Sequence, residues 1–177
     1  MLGVSCVLGV LLAASNFWLI RQNRRLQAQA DFYAGLRHTP QGIQFPALNG
    51  QTLDGRDVSV DYQPGDPETL MFVFSPTCPH CKRNWQAWLD LAHQSHGRRV
   101  VFVNVGGKIT PDFLKIYGFG ESTVIAKADP ASVLRYSFFE TPLTLLISPE
   151  GKTEHVWTGE LDAAKRRQIE AALVRRS

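Results

Sequence analysis

The chain has 177 residues, of which 44% are hydrophobic and 20% are charged, and its formal net charge is +3. This composition excludes an intrinsically disordered chain and suits one globular domain of ordinary size with its own hydrophobic core. The small charge forms no basic stripe, so we expect no nucleic-acid partner.

The N-terminal residues 2–20 contain no charged side chain and are numerous enough to cross a bilayer as a helix. We therefore predict a transmembrane anchor over residues 1–20, with Trp18 at the membrane interface. The alternative is a cleavable signal peptide with the small residues 13–15 as its cleavage site, which the missing basic start disfavours. Polar residues that favour helices follow and predict a helical stalk over residues 21–39.

The flanking charges and the family resemblance of the chain indicate opposite orientations for this span. Arg21, Arg24 and Arg25 directly follow the span, and the positive-inside rule would leave the rest of the chain in the cytoplasm. The family resemblance described below implies the opposite side of the membrane. A basic leader upstream of Met1 would reconcile the two indications.

From residue 40 onward, the chain alternates between strand and helix patterns. The dipeptides Asn49-Gly50 and Asp54-Gly55 predict the turns of a short hairpin. Residues 69–75, TLMFVFS, form an apolar run typical of a strand buried on both faces. After this run, the spacing of apolar residues predicts one buried helix face, formed by Cys81, Trp85, Trp88 and Ala92.

The second half of the chain continues the alternation. Residues 99–105 predict another buried strand, and Thr110 and Gly118 are typical of the start and end of a helix. A short strand and a short helix follow. Residues 141–161 predict two antiparallel strands joined by a Pro-Glu-Gly turn, and a final helix is expected from Leu161 to Arg175.

Two cysteines lie between the predicted buried strand and the helix that follows it. Cys78 would stand at the helix N-terminus, where free N–H groups and the helix dipole stabilise a thiolate. Cys81 follows one helical turn later, within disulfide reach, and suits the resolution of a mixed disulfide. Pro79 and His80 separate the two cysteines, and His80 is expected to stabilise the Cys78 thiolate. The pattern predicts a redox-active Cys78–Cys81 disulfide, with no metal and no other cofactor.

Other chemistries of a close cysteine pair fit this sequence less well. Haem attachment requires a histidine where Lys82 stands, and structural zinc requires a second ligand pair that the sequence lacks. A metal site that uses His80 as a third ligand stays open as an alternative, as does a thiol peroxidase. A purely structural disulfide is disfavoured because so small a loop is strained and easily reduced.

The dipeptide Thr141-Pro142 precedes the apolar run LTLLIS, where a central strand does not tolerate proline. We therefore predict a cis proline at Pro142 beside the cysteines. The backbone of Thr141 would then be available to hydrogen-bond an extended substrate chain.

Over residues 42–175 the chain resembles the thioredoxin superfamily, and in particular the membrane-anchored TlpA-type thiol–disulfide oxidoreductases. The resemblance rests on the motifs TLMFVFSPTCPHCKRNW and TPLTLLISPEGKTEHVWTGEL. It implies that Cys78 is the nucleophile, Cys81 the resolving thiol and Pro142 the cis proline. Thr77 stands where the family commonly has tryptophan, SPTCP is similar to the thioredoxin-like accessory proteins of methylamine dehydrogenase, and Pro-His is the dipeptide found in DsbA.

The expected architecture is a transmembrane helix followed by an α/β thioredoxin-like domain over residues 40–177, with a mixed central sheet and helices on both faces. The expected function is disulfide exchange with protein substrates, in the reductive or maturation-assisting direction. The resemblance also implies a single-pass protein of the inner membrane, with the domain in the periplasm and a membrane or periplasmic redox partner. The alternative functions are a copper-holding assembly module and a thiol peroxidase.

Overall fold

The computed structural model describes residues 15–27, 38–119 and 122–174. The chain divides into two compact units, residues 1–37 and 38–177. In the first unit, residues 15–27 are helical (α1), and Phe17, Trp18, Leu19 and Ile20 of this helix are each more than half exposed. Of the helices in the described ranges, none combines the length and the apolar character needed to cross a bilayer. Residues 1–14 of the predicted anchor and 28–37 of the predicted stalk lie outside the described residues.

The second unit is built from eight strands and four helices within its described residues. The strands are β1 (Leu48–Gln51), β2 (Asp57–Val60), β3 (Thr69–Phe74), β4 (Arg99–Asn104), β5 (Thr123–Ile125), β6 (Lys127–Ala128), β7 (Leu143–Ile147) and β8 (Thr153–Thr158). The helices are α2 (Pro79–Gln94), α3 (Pro111–Tyr117), α4 (Pro130–Tyr136) and α5 (Ala163–Val174).

Five strands form the central sheet in the order β5-β4-β3-β7-β8. The strands β3, β4 and β5 are parallel, whereas β7 is antiparallel to β3 and β8 is antiparallel to β7. The sheet is therefore mixed, as predicted, and the predicted C-terminal hairpin is present as β7 and β8. A smaller antiparallel sheet has the order β2-β1-β6.

One predicted turn is wrong. Asn49-Gly50 does not reverse the chain but lies inside β1, and the turn to β2 is formed around Asp54-Gly55 alone. Gly50 is required for close packing, because a Cβ atom at this position would collide with the Ile125 side chain and would lie 2.6 Å from the Lys127 carbonyl oxygen. Asn49-Gly50, a dipeptide typical of turns, is thus found where the backbones of β1 and β6 approach closely.

Each face of the central sheet is covered by its own hydrophobic core. On one face, Phe72, Phe74 and Phe102 pack with Trp85 and Trp88 of α2. Buried residues of α5 join this cluster. The opposite face packs against α4 and the small sheet, through residues that alternate with the first set along each strand. The predicted helix face and the two buried strands are confirmed.

The topology brings four loops together at one end of the strands of the central sheet. In the register of the sheet, the end of β3 at Phe74 lies opposite the end of β4 at Asn104. The antiparallel neighbours place the start of β7, Leu143, beside Val73 and opposite Thr158 at the end of β8. The loops that follow β3, β4 and β8 and the loop that precedes β7 therefore meet around the start of α2.

Candidate active site

Cys78 is the N-cap residue of α2, with an extended backbone (φ −78°, ψ 117°). Its sulfur accepts a hydrogen bond from the backbone N–H of Cys81 at 3.4 Å. Pro79 occupies the first turn, where its missing N–H costs no hydrogen bond. The predicted placement of Cys78 at a helix N-terminus is confirmed.

The two thiols are both free and differ in exposure. Cys78 is partly exposed, whereas Cys81 is fully buried in the core formed by Trp85, Trp88 and the sheet. The structure therefore shows the dithiol form, with one sulfur accessible to a reactant and the second sulfur one helical turn behind it.

The environments of the two sulfurs move their pKa values in opposite directions. Partial burial opposes charge on Cys78, but hydrogen bonds with the Cys81 thiol, the Cys81 N–H, Thr141 and the His80 backbone outweigh it and lower the pKa of the Cys78 thiol. For Cys81, burial dominates and raises the pKa of the thiol to about 11. Cys78 is thus the sulfur that ionises first, which is the behaviour of an attacking thiol.

The loop that precedes β7 lies against the Cys78 sulfur. The peptide bond between Thr141 and Pro142 is cis, as predicted. The Cys78 thiol donates to the Thr141 carbonyl oxygen at 3.7 Å, and the Pro142 carbonyl oxygen accepts from the Gly159 N–H at 2.8 Å. The sequence-predicted residues Cys78, Cys81, Thr141 and Pro142 are therefore brought together, although Thr141 is 63 positions from Cys78.

The loop after β4 packs against the other side of the cysteine loop. Asn104, which is buried, donates to the carbonyl oxygens of Gly107 and Ala126 at 2.8 Å and accepts from the Gly106 N–H at 3.1 Å. A Cβ atom on Gly107 would lie 3.1 Å from the ring of Pro76. The backbone just before Cys78 is therefore held in place by a close contact that glycine permits.

His80 lies at the exposed start of α2, but its ring is turned towards two other side chains. The Nδ1 atom is 2.5 Å from Glu160 Oε1 and 2.7 Å from Arg83 Nη2. Its backbone N–H, rather than its ring, makes the hydrogen bond that helps to lower the pKa of Cys78. The effect of the His80 ring on the thiolate stays a prediction.

Several residues of the site were missed in the sequence, among them Asn84 and Glu160. Asn84 is 2% exposed and ties α2 to the loop after β8, because its side chain donates to the Gly159 carbonyl oxygen (3.2 Å) and accepts from the Leu161 N–H (2.9 Å). The periodicity that marked Cys81 and Trp88 could have found Asn84, which lies between them on the same face. No local signal could have found Glu160, which is 80 positions from His80.

The metal alternative requires at least three ligand side chains that lie close together. Within those ranges, no group of three His, Cys, Asp or Glu side chains is arranged to hold a metal ion. The ring of His80 in particular faces Glu160 and Arg83.

No protein-family model and no curated protein matches this chain. Similar solved structures include a thiol:disulfide interchange protein from Chlorobium tepidum, a secreted Mycobacterium tuberculosis disulfide oxidoreductase homologous to E. coli DsbE, and a protein described as a thioredoxin from Neisseria meningitidis. Their sequence identities are 19%, 17% and 25%, and their TM-scores are 0.58, 0.57 and 0.57. The matches cover 77%, 75% and 78% of this chain and 99%, 96% and 93% of the respective structures. Together with the order and direction of the strands, these likenesses establish that the chain has the thioredoxin fold.

Proposed function

We propose that this protein is a thiol–disulfide oxidoreductase that exchanges disulfides with protein substrates through Cys78 and Cys81. The observation that carries the proposal is the unequal pair of sulfurs at the start of α2. One sulfur is accessible and has a lowered pKa, and the other is buried, with a pKa raised to about 11. The similar structures from Chlorobium tepidum and Mycobacterium tuberculosis are described as proteins of this chemistry, which supports the proposal.

In the reductive direction, the Cys78 thiolate attacks one sulfur of a substrate disulfide. The substrate S–S bond breaks, a mixed disulfide forms, and the other substrate sulfur leaves as a thiolate that takes up a proton. Cys81 then gives up its proton and attacks the Cys78 sulfur. The mixed disulfide breaks, the second substrate thiol is released, and two electrons have passed from the Cys78–Cys81 dithiol to the substrate.

The loop before β7 is suited to hold the substrate chain during this exchange. The backbone of Thr141 is adjacent to the Cys78 sulfur and can pair with an extended peptide. Phe139, two residues earlier, is 51% exposed and offers an apolar contact beside that backbone. A polypeptide substrate, rather than a small thiol alone, would use both features.

The proposal includes a tether and a compartment. The uncharged run of residues 2–20 would anchor the protein in the inner membrane, and the domain would work in the periplasm, where disulfides persist. A membrane or periplasmic redox protein would return the Cys78–Cys81 disulfide to the dithiol form. The disulfide itself would be the redox-active group, with no other cofactor.

A trapping experiment tests the exchange mechanism. In the full-length Cys81→Ala variant, the mixed disulfide cannot be resolved, so we expect disulfide-linked partners that disappear on reduction and can be identified by mass spectrometry. The matched control is Cys78→Ser combined with Cys81→Ala, which keeps Cys6 and therefore reports any adduct formed there. Equal adducts in both variants, or none in either under oxidising growth, would reject the proposed function.

A further inference from the structure

The loop between β8 and α5 places a carboxylate beside the start of α2. Glu160 Oε1 is 2.5 Å from Arg83 Nη2 and 2.5 Å from His80 Nδ1. Arg83 and His80 are themselves 2.7 Å apart at these same nitrogen atoms. One carboxylate oxygen thus contacts two nitrogen-bearing side chains of the helix that begins at the nucleophilic cysteine.

The position of Glu160 is fixed by contacts on both sides of it. The buried side chain of Asn84 bonds the backbone of Gly159 and of Leu161, the two neighbours of Glu160. Lys165 Nζ donates to the Glu160 carbonyl oxygen at 3.0 Å. The backbone that carries the carboxylate is therefore attached to α2 and α5, so that the contact with Arg83 is built into the fold.

The charges of this cluster act on the Cys78 sulfur. The Arg83 guanidinium is close enough for a Coulomb attraction to the ionised Cys78 to help raise the pKa of Arg83, after the larger effect of its hydrogen bond to Glu160. Hydrogen bonds from Arg83 and then from His80 lower the pKa of Glu160 to about 2, so this carboxylate is charged throughout the neutral range. Arg83 thus hydrogen-bonds the carboxylate, whereas its attraction to the Cys78 thiolate acts at longer range and is the smaller effect.

Glu160 also accommodates both forms of the His80 ring. When Nδ1 carries a proton, it donates to Glu160; when it does not, it accepts from Arg83. When both ring nitrogens carry protons, the ring is positively charged, and this charge is paired with Glu160 instead of acting on the sulfur alone. The carboxylate therefore offsets positive charge next to Cys78 in either form of the ring.

We propose that Glu160 is a positioning residue that restrains the oxidising strength of the Cys78–Cys81 disulfide by pairing with Arg83 and His80. Positive charge near the sulfur stabilises the thiolate, which stabilises the dithiol form and makes the disulfide a stronger oxidant. Pairing that charge with a carboxylate has the opposite effect, which favours the reductive direction of exchange. This inference deepens the proposed function and rests on it for its biological meaning.

The test is the isosteric variant Glu160→Gln in the full-length protein, measured in two ways. Ultraviolet absorbance of the Cys78 thiolate in the reduced protein gives the midpoint of its titration, and equilibration with glutathione gives the redox equilibrium constant. We expect a lower titration midpoint and an equilibrium shifted about three- to tenfold towards the dithiol, a tenfold shift corresponding to about 30 mV.

Two further variants make the result specific. Glu154→Gln removes the same charge near the other end of β8, away from Cys78, and should leave both readouts unchanged. Arg83→Gln should shift both readouts in the opposite direction, and in that background Glu160→Gln should have a smaller effect. An unchanged or raised midpoint in Glu160→Gln, or an equal shift in Glu154→Gln, would overturn the proposal.

The two proposals fail in different ways. If the wild-type protein forms no Cys78–Cys81 disulfide with glutathione, disulfide exchange is rejected, while the thiolate titration still tests Glu160. If the wild-type couple is normal and Glu160→Gln changes neither readout, the role of Glu160 alone is rejected.

Discussion

The amide of Asn84 is expected to be a main attachment between α2 and the loop that carries Glu160. It is 2% exposed and makes two hydrogen bonds to the loop backbone, at 3.2 Å to the Gly159 oxygen and at 2.9 Å from the Leu161 nitrogen. Replacement by alanine removes both bonds. At about 1 kcal/mol of net stability for each bond, Asn84→Ala should lower the free energy of unfolding by about 2 kcal/mol.

Replacement by aspartate separates the donor from the acceptor. In Asn84→Asp, the ionised carboxylate could still accept from the Leu161 N–H, but it would face the Gly159 oxygen with no hydrogen to donate. The folded-state pKa of the introduced carboxyl should therefore be raised above the unfolded value of about 3.9. Because the folded state then binds more protons than the unfolded state, stability falls as pH rises above that unfolded value. We expect a loss of roughly 3 kcal/mol at neutral pH and at most about 1 kcal/mol at about pH 4.

Urea unfolding of the reduced, full-length protein measures these differences against wild type at each pH, and the slope of free energy against urea should stay constant. Gln86→Ala is the matched control, since Gln86 lies on the same helix but is exposed, and its side chain donates a hydrogen bond to Asp90 on that helix. It should change stability by less than about 0.5 kcal/mol. A similarly small loss in Asn84→Ala, or a loss in Asn84→Asp that does not depend on pH, would refute the role assigned to this amide.

Two further predictions concern the sulfurs and the core. At about pH 8, iodoacetamide should modify Cys78 well before Cys81, because a pKa of about 11 leaves only about one Cys81 in a thousand ionised; equal labelling by mass spectrometry would contradict the assigned roles. Trp88 Nε1 donates to Thr144 Oγ1 at 2.9 Å, and both residues are fully or almost fully buried. Trp88→Phe and Thr144→Val each leave a buried polar group unpaired. The sum of the two losses in stability should therefore exceed the loss in the double variant by about 1–2 kcal/mol. Additive losses, measured by urea unfolding, would count against this pairing.

Much of the site was predicted from the sequence because its signals are local. Within about twenty consecutive residues lie the apolar run of β3, the N-cap cysteine of α2 and the spaced residues Cys81, Trp85 and Trp88. The caps of α3, Thr110 and Gly118, are likewise recognised from neighbouring residues and are confirmed. Such signals depend on backbone geometry that repeats every two or 3.6 residues, which a sequence displays directly.

The charged contacts around His80 were not predicted, because their residues meet only through the order of the strands. Placing β8 next to β7, which itself pairs with β3, brings Glu160 against His80 and Arg83, across separations of 80 and 77 positions. The proximity of Thr141 to Cys78, 63 positions away, was predicted only from the proline that follows Thr141. The same cause explains Gly50, whose turn-like sequence is overridden by the close approach of Ile125 and Lys127. The sequence by itself determined which sulfur begins the helix and which one follows it in the core. Tertiary packing alone decided which charges surround the first sulfur, because a Coulomb interaction depends on distance in space and not on distance along the chain.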